Sequence, residues 1–252
     1  MVCHCLLIEV GDGLVLVDTG LGLEDIARAS ERLSRAFRWA VRPALDPAET
    51  AASQVEALGF RRDDVRHIVL THLDPDHAGG ISDFPDATVH VMQAEHRGAL
   101  TRERAIERSR YRPPQWAHGP RWELHDVRGE PWHGFEAVRD LPGLPPELLL
   151  VPLGGHTRGH AGVAVAVADG WLLHCGDAYF HRNTLEGGPL PLGLRCFQAV
   201  NQMDRKSRVE NQLRLGELAQ DHGDQVEVFC AHDASEFQSL SGVPSNENTR
   251  TE

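Results

Sequence analysis

The sequence predicts an α/β fold, a four-layer αββα sandwich of two mixed β-sheets with outer helices. Two observations predict it. Segments with strand-like and helix-like apolar patterns alternate only roughly, and a hairpin pattern opens each half of the chain. Hairpins in both halves favour two mixed sheets packed face to face over one doubly wound sheet. A chain of 252 residues can form such a structure as a single domain.

The first half begins with a predicted hairpin. Apolar runs flank the Gly-Asp-Gly turn at residues 11–13, and the second run ends at the Asp-Thr-Gly of residues 18–20. Apolar spacing predicts a helix over residues 23–38 and a shorter one over 51–58. Two further strands are predicted, over residues 65–70 and 87–92.

The second half continues the alternation of strands and helices. A strand is predicted over residues 148–151, and a hairpin over 163–174 turns at Asp169-Gly170. A helix over residues 205–222 leads into a last strand over 226–230.

The domain organisation is simple. No repeat or linker interrupts residues 1–240, which are predicted to form one domain, and the polar residues 241–252 are predicted to be a disordered tail. Residues 94–146 have the least regular pattern and are either a surface insertion or a lid or pocket wall. Within them the basic stretch 102–112 is expected to be a solvated helix face. Aromatic residues that could line an acyl pocket or pack the core are Trp116, Trp122, Tyr179 and Phe180.

Composition excludes several classes of function. A formal net charge of −12 opposes binding to phosphate backbones, so no nucleic-acid partner is expected. No stretch approaches the roughly 20 apolar residues that cross a bilayer, and no secretory signal pattern follows Met1. We expect a cytoplasmic protein with a small-molecule substrate. Its five cysteines lack metal-ribbon spacing and are expected to be thiols.

Histidine is abundant, with 15 residues, and it gathers where predicted strands end. Loops at strand ends are where a rigid scaffold presents side chains to a site. Imidazole and carboxylate groups are ligands for zinc, iron, manganese or cobalt. The metal-ligand candidates delivered by four strand ends are His72, Asp74, Asp76, His77, His156, Asp177 and His232. In the first loop His77 departs from the spacing of the other three, so one loop could serve two ions.

Five ordered motifs resemble the metallo-beta-lactamase fold superfamily. They cover most of the chain, from Asp18 to His232. The motifs are Asp18-Thr19-Gly20, the segment 71–80 (THLDPDHAGG), Gly155-His156-Thr157-x-Gly159-His160, Gly176-Asp177 and Ala231-His232. The superfamily pattern is usually His-x-His-x-Asp-His, followed by a distant His, an Asp and a last His.

The resemblance implies two divalent metal ions. His72 and His156 would hold the first ion, together with whatever occupies the slot of the second histidine. The second ion would be held by Asp76, His77 and His232. Asp177 would bridge both ions, and Asp18 would be a buried carboxylate behind the histidine loop.

Asp74 departs from the family pattern, since that slot usually holds histidine. A carboxylate can still bind metal, and it makes the first site a harder one. Flavodiiron proteins resemble the chain at this slot and bind iron. Zinc is the default expectation, with iron or manganese as alternatives; in a further alternative Asp74 points away and only the second site fills.

The implied activity is hydrolysis. Two adjacent cations lower the pKa of a bridging water toward about 7, and the resulting hydroxide attacks an ester-like bond. Asp76 would orient the nucleophile. The size of the chain, its Asp-Thr-Gly motif and its Asp177-Ala178-Tyr179 segment resemble the N-acyl-homoserine-lactone lactonases, so a lactone is the first candidate substrate. In that branch a tyrosine assists the carbonyl oxygen; Tyr179 is the candidate here, with ordinary packing as its alternative role.

Other functions stay open. Thioester and phosphodiester hydrolases share this fold, whereas the acidic surface argues against nucleases. Beta-lactam resistance is not expected, because the enzymes that confer it are usually exported and no secretory signal pattern follows Met1. A diiron redox protein would need a flavin domain, which does not fit after His232. A non-catalytic metal-binding protein would need no pocket.

Overall fold

A computed structural model describes residues 2–11, 13–137 and 141–242 of the chain. The strands in these ranges are β1 (Leu6–Val10), β2 (Gly13–Val17), β3 (Val65–Val69), β4 (Thr88–Met92), β5 (Arg121–His125), β6 (Glu130–Trp132), β7 (Phe135–Ala137), β8 (Leu148–Pro152), β9 (Ala161–Val167), β10 (Gly170–His174) and β11 (Val226–Phe229). The α-helices are α1 (Leu23–Ala27), α2 (Ala29–Arg32), α3 (Arg35–Val41), α4 (Ala51–Ala57), α5 (Pro75–Ala78), α6 (Gln93–Thr101), α7 (Ala105–Arg110), α8 (Asn183–Glu186), α9 (Leu192–Val200), α10 (Arg205–Asp221) and α11 (Ala234–Ser241). Short 3₁₀ helices lie at Pro47–Glu49, Arg62–Asp64, Gly79–Asp83 and Pro113–Trp116.

Two mixed sheets form the centre of the fold, which confirms the predicted fold class. The first has five strands in the order β1-β2-β3-β4-β5, with β1 antiparallel to β2 and the others parallel. The second has four strands in the order β11-β10-β9-β8, with only β10 and β11 parallel. The β6-β7 hairpin is a separate two-stranded sheet.

Because side chains alternate along the strands, the core is divided into three interfaces, one between each pair of adjacent layers. On β2, Leu16 faces outward and packs with Val55 of α4. Its neighbour Val17 faces the other way and packs against Leu150 of β8, between the sheets. The far side of the second sheet packs against α10 through Leu215. Because successive strand residues point to opposite faces, one strand serves two layers, and the four-layer arrangement follows.

Strand direction brings the candidate ligands to one place. Strands β2, β3 and β4 are parallel, so their carboxyl ends share an edge of the first sheet. In the second sheet β8, β10 and β11 also run in one direction. The two edges meet where the amide of Ala161, at the start of β9, donates to the carbonyl of Thr71 over 2.9 Å. All six of these strand ends therefore open onto the same side of the sandwich.

Two segments differ from the sequence prediction. Residues 23–38, predicted as one helix, lie in three short helices, and Ser34 starts the third because its hydroxyl accepts from the amide of Phe37. Residues 94–146 are more regular than predicted, since they contain most of α6, all of α7 and the strands β5 to β7. The expected tail begins within α11, at Ser241, and its residues 243–252 lie outside the described ranges.

No helix within the described ranges is both long enough and apolar enough to cross a membrane.

Candidate metal centre

The loop after β3 carries four of the candidate ligands. Asp74 stands at the N-cap of the single-turn helix α5, and Pro75 occupies its first position, where the fixed φ of proline suits a helix start. The carbonyl of Asp74 accepts the amide of His77 over 3.0 Å. This tight turn sends the side chains of the loop toward two different groups.

The first group is formed by His72, Asp74, His156 and Asp177, all of which are buried. Asp74 Oδ2 lies 3.4 Å from His72 Nε2 and 3.1 Å from His156 Nε2. Asp177 Oδ2 lies 3.3 Å from His156 Nε2 and 3.9 Å from His72 Nε2. Four ligand atoms from three loops thus converge within 4.8 Å of one another.

The second group is built on the other oxygen of Asp177. Its Oδ1 lies 3.2 Å from His77 Nε2 and 3.0 Å from His232 Nε2, and these two nitrogens are 3.4 Å apart. Asp76 Oδ2 approaches His232 Nε2 at 3.6 Å. The Sγ atom of Cys3 also lies within 4.8 Å of the ligand atoms of Asp76 and His232. Asp177 therefore faces one group with each carboxylate oxygen.

These residues fit a pair of divalent cations. His72 Nε2, Asp74 Oδ1 and Asp177 Oδ1 are buried and have no hydrogen-bond partner of good geometry among the described residues. Unpaired buried polar atoms are costly, and an ion is one of the explanations for them. Imidazole nitrogens with carboxylate oxygens are a donor set that zinc, iron and manganese accept. The donors are thus arranged as bound cations would need them.

Electrostatics keeps the carboxylate of Asp177 ionised. Burial opposes its charge, but His232 and His77 outweigh burial and hold the pKa of Asp177 well below its usual range. Burial, followed by the charge of Arg110, lowers the pKa of His156 to about 4. His156 is consequently neutral at pH 7, and a neutral imidazole is the form that binds metal.

Asp18 supports the histidine loop from behind, as the resemblance implies. Its Oδ2 accepts from His77 Nδ1 over 2.8 Å, and its Oδ1 and Oδ2 accept the amide and hydroxyl of Thr71, each at 2.8 Å. A hydrogen bond at Nδ1 fixes the tautomer of His77 and leaves Nε2 with its lone pair. Asp18 adopts a φ of 55°, an uncommon left-handed conformation that points its carboxylate into this network.

Three further hydrogen bonds orient the centre. His160 Nδ1 lies 3.0 Å from the carbonyl of Leu153, so its Nε2 accepts the amide of Asp177 over 2.9 Å. His232 Nδ1 donates to the carbonyl of Val2 over 2.7 Å. The bonds to Asp177 and from His232 fix two residues that carry candidate ligand atoms. His160 therefore positions the backbone of Asp177.

Glu95 is a buried residue that sequence reasoning missed. Its carboxylate accepts the amide of Leu73 at 3.0 Å, the hydroxyl of Tyr111 at 2.9 Å and the amide of Gly159 at 3.1 Å. It thereby ties the loop after β3 to the loop of His156. The available signal was its position, because Glu95 follows the end of β4 just as the candidate ligands follow their strands.

Arg110 also enters the site, although residues 102–112 were expected to form a solvated helix face. Its Nη1 lies 2.6 Å from Asp74 Oδ2 and 2.7 Å from His156 Nε2. The Nη2 group donates to the carbonyl of Asn201 over 2.9 Å. Its side chain is only 6% exposed. Sequence reasoning missed this residue because nothing in the helix pattern separates it from its exposed neighbours.

The aromatic candidates divide between core and site. Tyr179 is fully buried and donates its hydroxyl to Glu236 Oε1 over 2.9 Å, which fits its alternative role of packing. Phe180 stacks on His232, with ring centroids 5.5 Å apart and an interplanar angle of 4°. Trp116 and Trp122 belong to the core between the first sheet and its helices. Only Phe180 among these four borders the ligand groups.

The fold and this centre define a family of proteins. Residues 1–220 match the Metallo-beta-lactamase superfamily, and the chain belongs to it. A protein of Mycobacterium tuberculosis named "Probable metallo-hydrolase Rv2300c" is 48% identical over 239 residues, which cover 94% of this chain and 76% of that protein. The expected class, a metal-dependent hydrolase, is confirmed by these relationships.

More distant similarities lead to lactonases. The N-acyl homoserine lactonase of Bacillus thuringiensis is 25% identical over 183 residues, 72% of this chain and 66% of that protein. A solved structure of an N-acyl homoserine lactone hydrolase, with the product N-hexanoyl-L-homoserine bound at its catalytic metal center, superposes with a TM-score of 0.68. It is 22% identical and covers 94% of this chain and 83% of that one. The resemblance predicted from the motifs is confirmed.

Proposed function

We propose that the chain is a dinuclear metal-dependent hydrolase of ester-like bonds, with a lactone as the first candidate substrate. One observation carries the dinuclear part. The two oxygens of Asp177 face two separate groups of ligand atoms, each containing two histidines and one further aspartate. A bridging carboxylate between two such groups is what a pair of ions requires.

The proposed ligand set follows these contacts. His72, Asp74 and His156 would hold the first ion, and Asp76, His77 and His232 would hold the second, with Asp177 shared. Two zinc ions suit the histidine-rich donors. The carboxylate of Asp74 also makes iron or manganese suitable at the first site, since harder oxygen donors favour them. Metal analysis of the purified protein decides between these ions.

When bound, such an ion pair would supply a hydroxide nucleophile at neutral pH and polarise the oxygen of the scissile carbonyl. The residues of the chain would position the nucleophile and accept its proton. Asp76, whose side chain is 14% exposed, lies at the open side of the second group and would orient the nucleophile and accept its proton. Asp18 and His160 keep His77 and Asp177 in place during this step.

An apolar wall beside the centre supports a substrate with an acyl chain. Phe180 contacts both His156 and His232 with its ring, and Phe197 of α9 packs edge-on against it at 5.4 Å. Such a wall suits the alkyl part of an acyl lactone, because apolar contact there removes hydrocarbon from water. The sequence relationship to an N-acyl homoserine lactonase supports the same choice.

The test is a substrate panel with defined metal content. Metal-free protein, reloaded with zinc, is assayed on acyl lactones, aryl esters, thioesters and phosphodiesters. We expect turnover with zinc, loss of turnover with a chelator, and the highest kcat/KM on acyl lactones. A preference for thioesters or phosphodiesters would replace the lactone assignment. Full metal occupancy with no turnover on any substrate would favour a non-catalytic metal-binding protein.

A further inference from the structure

Arg110 lies in contact with two of the proposed ligands of the first ion. It follows Ser109 at the end of α7, and its Nη1 lies within hydrogen-bond distance of both Asp74 Oδ2 and His156 Nε2. No other arginine or lysine makes an ion pair with a proposed ligand in the described ranges. This contact involves the first group alone, as the remaining hydrogen bond of Arg110 goes to the carbonyl of Asn201.

The bond to His156 uses the lone pair that a metal ion needs. A guanidinium has five N–H donors and no acceptor, so His156 Nε2 must accept when Arg110 approaches it at 2.7 Å. A nitrogen that accepts this bond cannot coordinate a cation through the same lone pair. The guanidinium and a first-site ion are therefore alternatives at His156.

Asp74 explains why the guanidinium stands here. It occupies the slot where the family pattern usually has histidine, and its Oδ2 accepts from Arg110 at 2.6 Å. Histidine in this slot would offer no negative charge to a guanidinium. The carboxylate thus has two possible partners, the arginine or a metal ion, while its Oδ1 stays buried and unpaired.

The position of Arg110 is fixed by the contacts around it. The next residue, Tyr111, is fully buried and donates its hydroxyl to Glu95, which also binds the loop of His156. The carbonyl of Asn201 receives the second nitrogen of the guanidinium. Arg110 is thereby anchored from two sides, which a freely solvated arginine would not be.

We propose that Arg110 competes with the metal ion of the first site, so that the second site fills first and the first site binds its ion more weakly. This inference rests on the two-ion centre proposed above, but not on the identity of the substrate. In the competition the ion gains Asp74 and His156 only when the guanidinium withdraws from them. The second site pays no such cost, because Arg110 does not contact its ligands.

The test measures metal binding and not turnover. Metal-free protein is titrated with zinc in competition with a chromophoric chelator, for wild type, R110Q and a matched control, R108Q. Arg108 lies on the same helix but is exposed and bonds only to the carbonyls of Arg102 and Glu103. Circular dichroism and thermal melting establish that each variant is folded.

We expect wild type and R108Q to bind one zinc ion tightly and a second one weakly. In R110Q the weaker affinity should rise by about 10- to 100-fold, which is equal in size and opposite in sign to the loss that follows removal of a supporting partner of a metal ligand. Should R110Q fail to fold, R110M replaces it, because methionine keeps a long side chain without a hydrogen-bond donor and leaves both Asp74 and His156 in place; we expect the same tightening.

The outcomes separate this inference from the proposed function. Two equally tight ions in wild type, or a weak first-site affinity unchanged in R110Q (or in R110M where that variant replaces it), would overturn the competition and leave the dinuclear centre standing. Failure of wild type and all variants to bind zinc, iron or manganese would overturn the centre itself, and with it the competition.

Discussion

Two groups of histidines lie in this molecule, and they have opposite chemistry. One is the proposed metal centre at the strand ends. The other, which we call the histidine row, consists of His67, His90 and His125 on the neighbouring strands β3, β4 and β5. In the row, His67 Nδ1 lies 2.9 Å from His90 Nε2, and His90 Nδ1 lies 3.0 Å from His125 Nε2. Each ring thus binds the next in a line.

Carboxylates make the difference between the two groups. In the centre, burial disfavours charge on His77, yet Asp177 and Asp18 outweigh it and raise its pKa well above the usual range. In the row, burial together with the flanking imidazoles of His125 and His67 lowers the pKa of His90 to about 3. Burial is similar, but no carboxylate is among the groups that shift the pKa of His90. A histidine cluster therefore indicates metal binding when aspartates converge with it.

The largest expected effect comes from removing the shared carboxylate. In D177N the bridge between the two groups loses its charge, so we expect the variant to lose one or both ions and about 10⁴-fold or more of its hydrolytic activity. Native mass spectrometry counts the ions, and the lactone assay measures the loss. The matched control is H90Q in the row, which should retain both ions. Full metal content in D177N would show that Asp177 does not bridge.

The histidine row should make stability depend on acid. In the folded protein the pKa of His90 is about 3, below the value of 6.5 for a free histidine, so the unfolded chain takes up the proton first as pH falls. The contribution of neutral His90 to the free energy of unfolding is fully present above about pH 6.5 and is lost as pH falls toward about 3. About 3 kcal/mol of it is lost between about pH 7 and about pH 4.

Urea unfolding of metal-free wild type and H90Q at several pH values measures this dependence. Glutamine carries no charge at any of these values, so the curve of H90Q should be flatter than that of wild type. Because both proteins share the metal centre, its own response to acid cancels in the difference. Parallel curves for the two proteins would mean that His90 does not titrate on unfolding.

Much of the centre could be predicted from sequence because its residues stand at strand ends in an order typical of a family. The loop of His72 to His77 and the distant His156 are examples, and the structure brings them together. The sandwich could be predicted for a related reason. The continuous apolar run of β2 and the two hairpins indicate buried sheet strands directly. The break at Ser34, in contrast, depends on a single hydroxyl that apolar spacing does not reveal.

The residues that could not be predicted act through tertiary contacts. Arg110 is indistinguishable by pattern from Arg108, and only the placement of α7 against Asp74 separates them. The row is another example. His67 and His90 have no motif between them, and the parallel pairing of β3 with β4 alone puts their rings together. Local patterns record the face of a strand but not the strand that will lie beside it.

A smaller effect, on metal affinity, is expected from Asp18, which supports His77 from behind the centre. D18N keeps the shape of the side chain but removes the charge that His77 contacts at 2.8 Å, whereas no carboxylate is among the groups that shift the pKa of His90 in the row. Outer partners of metal ligands typically contribute about 10- to 100-fold to metal affinity, and we expect a loss in this range at the second site. Zinc titration with a competing chelator measures it; D126N, at an exposed aspartate, should leave the affinity unchanged. Equal affinities for D18N and wild type would contradict a supporting role for Asp18.

The smallest effect tests how each histidine group is held. The row lies within strands, whose ladders fix it, but the centre lies on loops that Glu95 ties together. In E95Q one acceptor becomes an NH₂ donor facing the amide of Leu73 or Gly159, so a buried amide loses its partner at a cost of about 1–3 kcal/mol. Thermal melting should show this loss, and hydrogen exchange should place the added opening in the loops around residues 72–77 and 155–160. Exchange that rises equally in β3 and β4 would mean that Glu95 stabilises the sheet as a whole, and the contrast between strand-held and loop-held histidines would then fail.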